Sequence, residues 1–361
     1  MVYFYYTHGY ERQVRHMDAT HSRQTHLDLL RIIATLAVVV LHTAVQGWHD
    51  LSPRTFDWQV LNLWDSAVRW AVPAFVMISG ALFLPRRIPL KTLYGKYILR
   101  ILTALVCWNL IYALAALIRG DGFKRAAAIF IQGDTHMWFL YMIIGLYAAV
   151  PLLKRISDNG YLARYFLLLT CLFAWLIPQA IGLVSLVSGE AGELLAGVVD
   201  RIHLHLVLGY VGFFLLGRYL NERPLSRRVG GWLALGGFLL TAAGTALVSA
   251  VKREPNDLFY GYNTLNVAAM GAGLFILFRD KWGGIRPSDR VGKWLERLSR
   301  YSFGAYLCHF LVLGILKEAG LHSLTFTPVL AVPAVAILTA VISFAVSALL
   351  HQIPVLKKYI V

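Results

Sequence analysis

LDLLRIIATLAVVVLHTAVQGW, residues 27–48, is an apolar run of spanning length that carries an arginine, Arg31, and a histidine, His42. At 100° per residue their spacing brings them to within about 20° of one helical face, with a rise of roughly 16 Å between them. A run of this length with so few charges reads as a transmembrane helix. Ionisable groups are costly in hydrocarbon, so both residues are functional candidates.

The composition around this run excludes a soluble protein: 58% of residues are hydrophobic, only 15% are charged, and the mean hydropathy is +0.60. The net charge of +15 does not point to nucleic acid, because Lys and Arg fall almost wholly between apolar runs, where they orient helices. Cys107, Cys171 and Cys308 lie inside apolar runs without metal-ligand spacing, so neither a disulfide nor a metal site is expected. Residues 1–25 are polar and aromatic, lack the apolar segment of a signal peptide, and are expected to form a cytoplasmic tail.

Apolar stretches recur about ten times, near 27–48, 66–84, 97–118, 137–153, 164–187, 203–220, 231–251, 261–279, 300–318 and 325–350. The expected fold is therefore an all-α integral membrane protein in which residues 26–361 form one membrane domain. No alternating ten-residue pattern suggests a barrel. If the spans alternate from an inside N-terminus, inside segments hold 24 Lys or Arg and outside segments eight, which sets both termini in the cytoplasm. No connection carries the apolar pattern of an appended soluble domain.

Orientation makes depth readable. Arg31 falls in the cytoplasmic third of span one and His42 in its outer third. Lys96 and Arg100 open span three near the depth of Arg31. Arg69 and His136 belong with His42. An inner tier of Arg31, Lys96 and Arg100 suits phosphate groups arriving from the cytoplasm. An outer tier of His42, Arg69 and His136 suits chemistry on the far side, with Arg69 a candidate oxyanion donor. Each residue also has a plainer role. Arg31 stands one turn from Asp28, and Lys96 and Arg100 are ordinary positive-inside flankers. His42 has no carboxylate neighbour on its own helix, and a histidine titrating near neutrality suits a general base. In span nine, SRYSFGAYLCHF places Ser302, Tyr306 and His309 on one face, where Tyr306 and His309 either orient a substrate or bond across helices, and Gly304 admits a neighbouring helix. Trp138 is an outer-side aromatic that suits a sugar ring or an interfacial belt equally.

Together these pieces resemble the membrane acyltransferase-3 proteins over nearly the whole chain. The matching elements are LDLLRIIATLAVVVLH, RWAVPAFVMISGALFL, HMWFLYMIIGLYAAVP, GFFLLGRYL and YSFGAYLCHF, in the family's order. The resemblance implies a bacterial inner-membrane enzyme that moves an acyl group, usually acetyl from cytoplasmic acetyl-CoA, to a hydroxyl of a surface or lipid-linked glycan. It implies His42 as the essential histidine and Arg31 as the motif arginine. Where many members open span three with paired arginines, this chain has Tyr97 three residues before Arg100, with Lys96 as the nearest second cation. A transporter or flippase is the rival class; it is disfavoured by the lack of an inverted repeat or paired broken helices.

Overall fold

The computed structural model describes residues 24–361 except 204, 224 and 286, and these are helical, with no strand among them. Nearly all of the expected tail, residues 1–25, lies outside the described residues. The first span is α1, Thr25–Trp48, and the second is a pair, α2 (Phe56–Val68) and α3 (Ala71–Phe83), that meet at Arg69 and Trp70. Next come α4 (Leu90–Ile118), α5 (Phe123–Gln132), α6 (Trp138–Asp158), α7 (Gly160–Val187) and α8 (Gly189–Ile202). The remainder is α9 (His205–Glu222), α10 (Arg227–Lys252), α11 (Leu265–Trp282), α12 (Asp289–Glu318), α13 (Pro328–Leu350) and α14 (Pro354–Tyr359).

Lipid offers backbone groups no partners, so Leu-, Val- and Ala-rich runs satisfy themselves as helices. Seven stretches are long and apolar enough to cross a membrane: α1, α2 with α3, α4, α6, α7, α10 and α13. The chain is an α-helical membrane protein. The remaining three expected stretches are also helices. Of these, α9 departs from helical geometry at Gly209, α11 is 18 residues long, and α12 opens with a charged segment before its apolar half.

Several boundaries differ from the apolar pattern. The second span begins at Phe56 instead of 66, because Asp57, Gln59, Asn62 and Asp65 make α2 too polar to read as membrane-spanning. Its polar face is used across helices. Asn62 donates to the Ala242 carbonyl at 3.0 Å, and Tyr260 donates to Asn62 at 2.6 Å. Burial pushes the Tyr260 phenol well above its usual value, which keeps that proton in place. Gln179, Asn266 and Thr241 extend the same kind of bonding between α7, α11 and α10, at 2.7 Å each. The short α5 is bounded by Gly122 and Gly133, both at φ near +80°, a conformation that other residues adopt only with strain.

The tightest crossing is α3 on α9. A Cβ on Gly80 would collide with the Phe214 carbonyl, and one on Gly217 with the Met77 carbonyl, so the two backbones touch through reciprocal glycines. Arg218, next along α9, donates to the Leu84 carbonyl at 3.0 Å and to Asp158 at 2.6 Å, fastening that crossing to α6. Gly80→Val should lower the thermal midpoint of the detergent-purified protein by several degrees, since backbone stands where its side chain must go. Gly145→Ala, whose Cβ meets nothing within 4 Å, should leave the midpoint in place in the same fluorescence-detected melt.

Candidate functional site

The site begins where α12 lies along α1. At one end the Ser299 hydroxyl donates to Asp28 at 2.5 Å and accepts from Arg31 at 3.3 Å, while Arg31 and Asp28 stand 4.0 Å apart. Arg31 is thus joined to the neighbouring helix through a serine and does not simply pair along its own. A cavity of about 640 Å³ opens beside this network. Its charged lining is Arg31, Arg86, Arg100 and Arg300 with Asp28 and Glu296, and its wall includes Phe83, Tyr97 and Tyr147. Along α12 it extends from Glu296 to Tyr306, roughly 15 Å of helical rise. Phe75, Phe139 and Tyr306 line it as well.

Lys96 does not line this cavity, whereas Tyr97 and Arg100 do. Lys96 is exposed and its ammonium lies 5.6 Å from the Tyr97 ring centroid. The cause is local: Leu93–Ile98 is a π-helical segment. Its wider turn accommodates an additional residue, so the α-helical phase that would set Lys96 on the face of Arg100 does not apply. Arg100 also donates to the Val361 carbonyl at 2.8 Å. Arg86 and Arg300, which spacing alone did not single out, take the place expected of Lys96. Arg86 lies just beyond the end of α3, and Arg300 stands next to Ser299 on α12.

At the other end of α1, His42 does not face the first cavity. Its ring centroid lies 5.2 Å from that of His309 and 6.5 Å from that of His136, and His136 and His309 are 5.0 Å apart. Three imidazoles from three segments thus form one cluster, with Phe310 5.3 Å from both His42 and His136. The tautomers follow from the partners. His309 Nδ1 donates to the Tyr306 carbonyl, which leaves Nε2 buried without a partner among the described residues. His136 Nε2 donates to the Leu307 carbonyl at 3.3 Å, leaving Nδ1 in the same condition. The His42 ring makes no hydrogen bond among the described residues and borders a second cavity, of about 480 Å³. No group of three ligating residues among the described ones is arranged to hold a metal ion.

Tyrosines fix this cluster. Tyr306 donates to the His136 carbonyl at 2.6 Å. Tyr112 donates to the Leu307 carbonyl at 2.9 Å and accepts from the Leu311 amide at 3.1 Å, so its hydroxyl joins the hydrogen-bond ladder of α12 on either side of His309. Ser302 and Tyr306 line the first cavity, and Ser347 of α13 fills the space over Gly304. The rings of Tyr306, His309, His136 and Phe310 therefore stand between the two cavities.

Two expected residues lie elsewhere. Arg69 lines neither cavity. It is ion-paired with Asp65, whose side chain is fully buried, and its guanidinium lies 4.1 Å from the Tyr260 ring centroid. Trp138 is packed between Tyr210 and Tyr262, with centroids at 5.5 and 5.7 Å.

The chain matches the acyltransferase domain family Acyl_transf_3 over residues 25–348 and belongs to that family. No curated protein and no solved structure matches it.

The Arg69–Asp65 pair serves folding. Asp65→Asn should leave a buried guanidinium without its counter-charge and cost about 3–5 kcal/mol. The double variant Asp65→Leu with Arg69→Met should recover much of the loss, as read by the yield of monodisperse protein.

Proposed function

We propose that the protein transfers an acetyl group from acetyl-CoA to a hydroxyl of a surface or lipid-linked glycan. The observation that carries this reading is the placement, along one helix, of a four-arginine cavity at Arg31 and, at His42, a histidine without hydrogen-bonding partners among the described residues. Ten spans with both termini in the cytoplasm, in a bacterial inner membrane, complete the proposal. That orientation turns the arginine cavity to the cytoplasm, where the coenzyme is made. Among family members, the motifs resemble stand-alone O-acetyltransferases such as the enzyme that acetylates enterobacterial common antigen.

The donor set fits the coenzyme. Arg31, Arg86, Arg100 and Arg300 present guanidinium groups suited to phosphates, and the remaining wall is largely apolar and aromatic. Acetyl-CoA supplies an activated acyl thioester. His42 removes the proton of the acceptor hydroxyl, a contribution of about 10²- to 10⁴-fold in such reactions. The acetyl carbon exchanges its bond to sulfur for one to the hydroxyl oxygen, and the proton held by His42 ends on the departing thiolate. His309 and His136 orient the His42 ring from beside it, and the Tyr306 ring has to turn for the two reactants to meet. Arg69, committed to Asp65, does not serve as the oxyanion donor.

His42→Ala should abolish acetylation of the acceptor while equilibrium binding of acetyl-CoA stays within about twofold of the parent. A parental rate in the variant would remove the histidine from the mechanism. Arg31→Ala and Arg86→Ala should each raise the KM for acetyl-CoA about tenfold, the loss of one charge-assisted contact of about 1.4 kcal/mol. The KM for the acceptor should stay in place in both.

A further inference from the structure

We infer that three aromatic rings at one end of the arginine cavity set the length of the acyl group, so that the donor is a thioester of a linear acid of two or three carbons. This rests on the reading of that cavity as the coenzyme site. The position of the rings follows from the order of the lining residues along three helices. On α3 the lining runs from Phe75 to Phe83 and continues to Arg86, on α6 it runs from Phe139 to Tyr147, and on α12 it runs back from Tyr306 to Glu296. Phe83 and Tyr147 stack at 4.1 Å, which brings one end of these lines together. Phe75, Phe139 and Tyr306 terminate them at the other, away from Arg86 and Arg300. The centroids of Phe75 and Phe139 are 5.9 Å apart, those of Phe75 and Tyr306 6.2 Å, and those of Phe139 and Tyr306 5.6 Å, all edge to face. That is the spacing of rings in direct contact, and it leaves no passage for a carbon chain between them.

The histidines lie directly behind this wall, since the Tyr306 centroid is 5.6 Å from those of both His136 and His309. An acyl group on its way to the cluster therefore meets the rings first. The length of the cavity adds to the limit. Helical rise from Phe139 to Tyr147 is about 12 Å and from Glu296 to Tyr306 about 15 Å, comparable with an extended pantetheine arm. A coenzyme held by its phosphates at the arginines thus brings its thioester close to the rings, with little length left for a chain beyond it. Folding back offers no escape. Ser79 and Ser302 line the turns next to Phe75 and Tyr306, and methylenes laid over their hydroxyls would remove water without replacing its hydrogen bonds. The three rings differ in how they are held. The Tyr306 hydroxyl donates to the His136 carbonyl at 2.6 Å, whereas Phe75 and Phe139 hold the wall by packing alone. These two phenylalanines are the specificity-determining residues that can be trimmed without breaking a hydrogen bond.

The test is equilibrium binding of coenzyme A, acetyl-CoA and butyryl-CoA to the full-length protein in detergent, each read by displacement of tritiated coenzyme A. In the parent, acetyl-CoA should bind within about threefold of coenzyme A. Butyryl-CoA should bind about tenfold or more weaker than acetyl-CoA, the scale on which a pocket rejects methylenes it has no room for. Phe139→Ala should bring butyryl-CoA to within about threefold of acetyl-CoA. Its affinity for coenzyme A, which carries no acyl group, should stay within about twofold of the parent. Phe75→Ala should give the same pattern and replaces the first variant if that one folds poorly. Equal binding of acetyl-CoA and butyryl-CoA by the parent would overturn the size limit and leave the donor reading standing. Discrimination that survives in both alanine variants, or an equal weakening of all three ligands in both, would overturn the assignment to the rings. Binding of no form of the coenzyme would count against the donor reading of the preceding subsection, and the size limit would fall with it.

Discussion

The pairing of α1 with α12 is the constraint on which the site depends. Asp28, Arg31 and His42 on one helix, and Ser299 and His309 on the other, are groups that lipid cannot solvate, and the pairing sets them against each other, by hydrogen bonds at one end and by packed imidazoles at the other. Ser299 stands between Asp28 and Arg31 at one end, and the His42 and His309 rings approach to 5.2 Å at the other. Both cavities border this pair of helices. Tyr112 and His136 grip the Leu307 carbonyl, so the segment of α12 bearing His309 is tied to α4 and to the turn before α6.

The wall between the cavities gives the pairing a chemical consequence. Tyr306, His309, His136 and Phe310 separate an arginine-rich space from one bordered by His42. On the proposed reading, a thioester and an activated hydroxyl kept apart until both are bound would be less exposed to water, the competing nucleophile. The buried nitrogens of His136 and His309 that have no partner among the described residues sit in this wall. Unsatisfied groups there are costly to the fold and consistent with a functional centre.

Much of the fold was legible because hydrocarbon imposes a simple rule on sequence. Long apolar runs had to be helices, and the expected runs are helical among the described residues, the second with a break at Arg69 and Trp70. Where a helix was too polar for the rule, the boundary was missed. The amphipathic α2 satisfies Asn62 and Asp65 through Tyr260, Ala242 and Arg69, partners far along the chain or visible only as a helical repeat. In the site, the helical face shared by Ser302, Tyr306 and His309 was readable from spacing. Lys96 was misplaced because wheel arithmetic assumes an α-helix and Leu93–Ile98 is π-helical. Arg86 and Arg300 carried no signal, since flanking cations look alike whether they orient a helix or line a cavity.

By itself the sequence determined that this chain is a helical membrane protein and that Arg31 and His42 share a helix face a fixed length apart, for these follow from hydropathy and from the regular rise of a helix. Only the tertiary structure decided that the two residues serve different cavities, that His136 and His309 join His42, and that Arg69 is bound to Asp65. Those outcomes depend on which helices lie side by side and on how far each is turned. Packing decides that, through contacts such as Gly80 on Gly217's helix and Ser299 on Asp28, and no local periodicity records it.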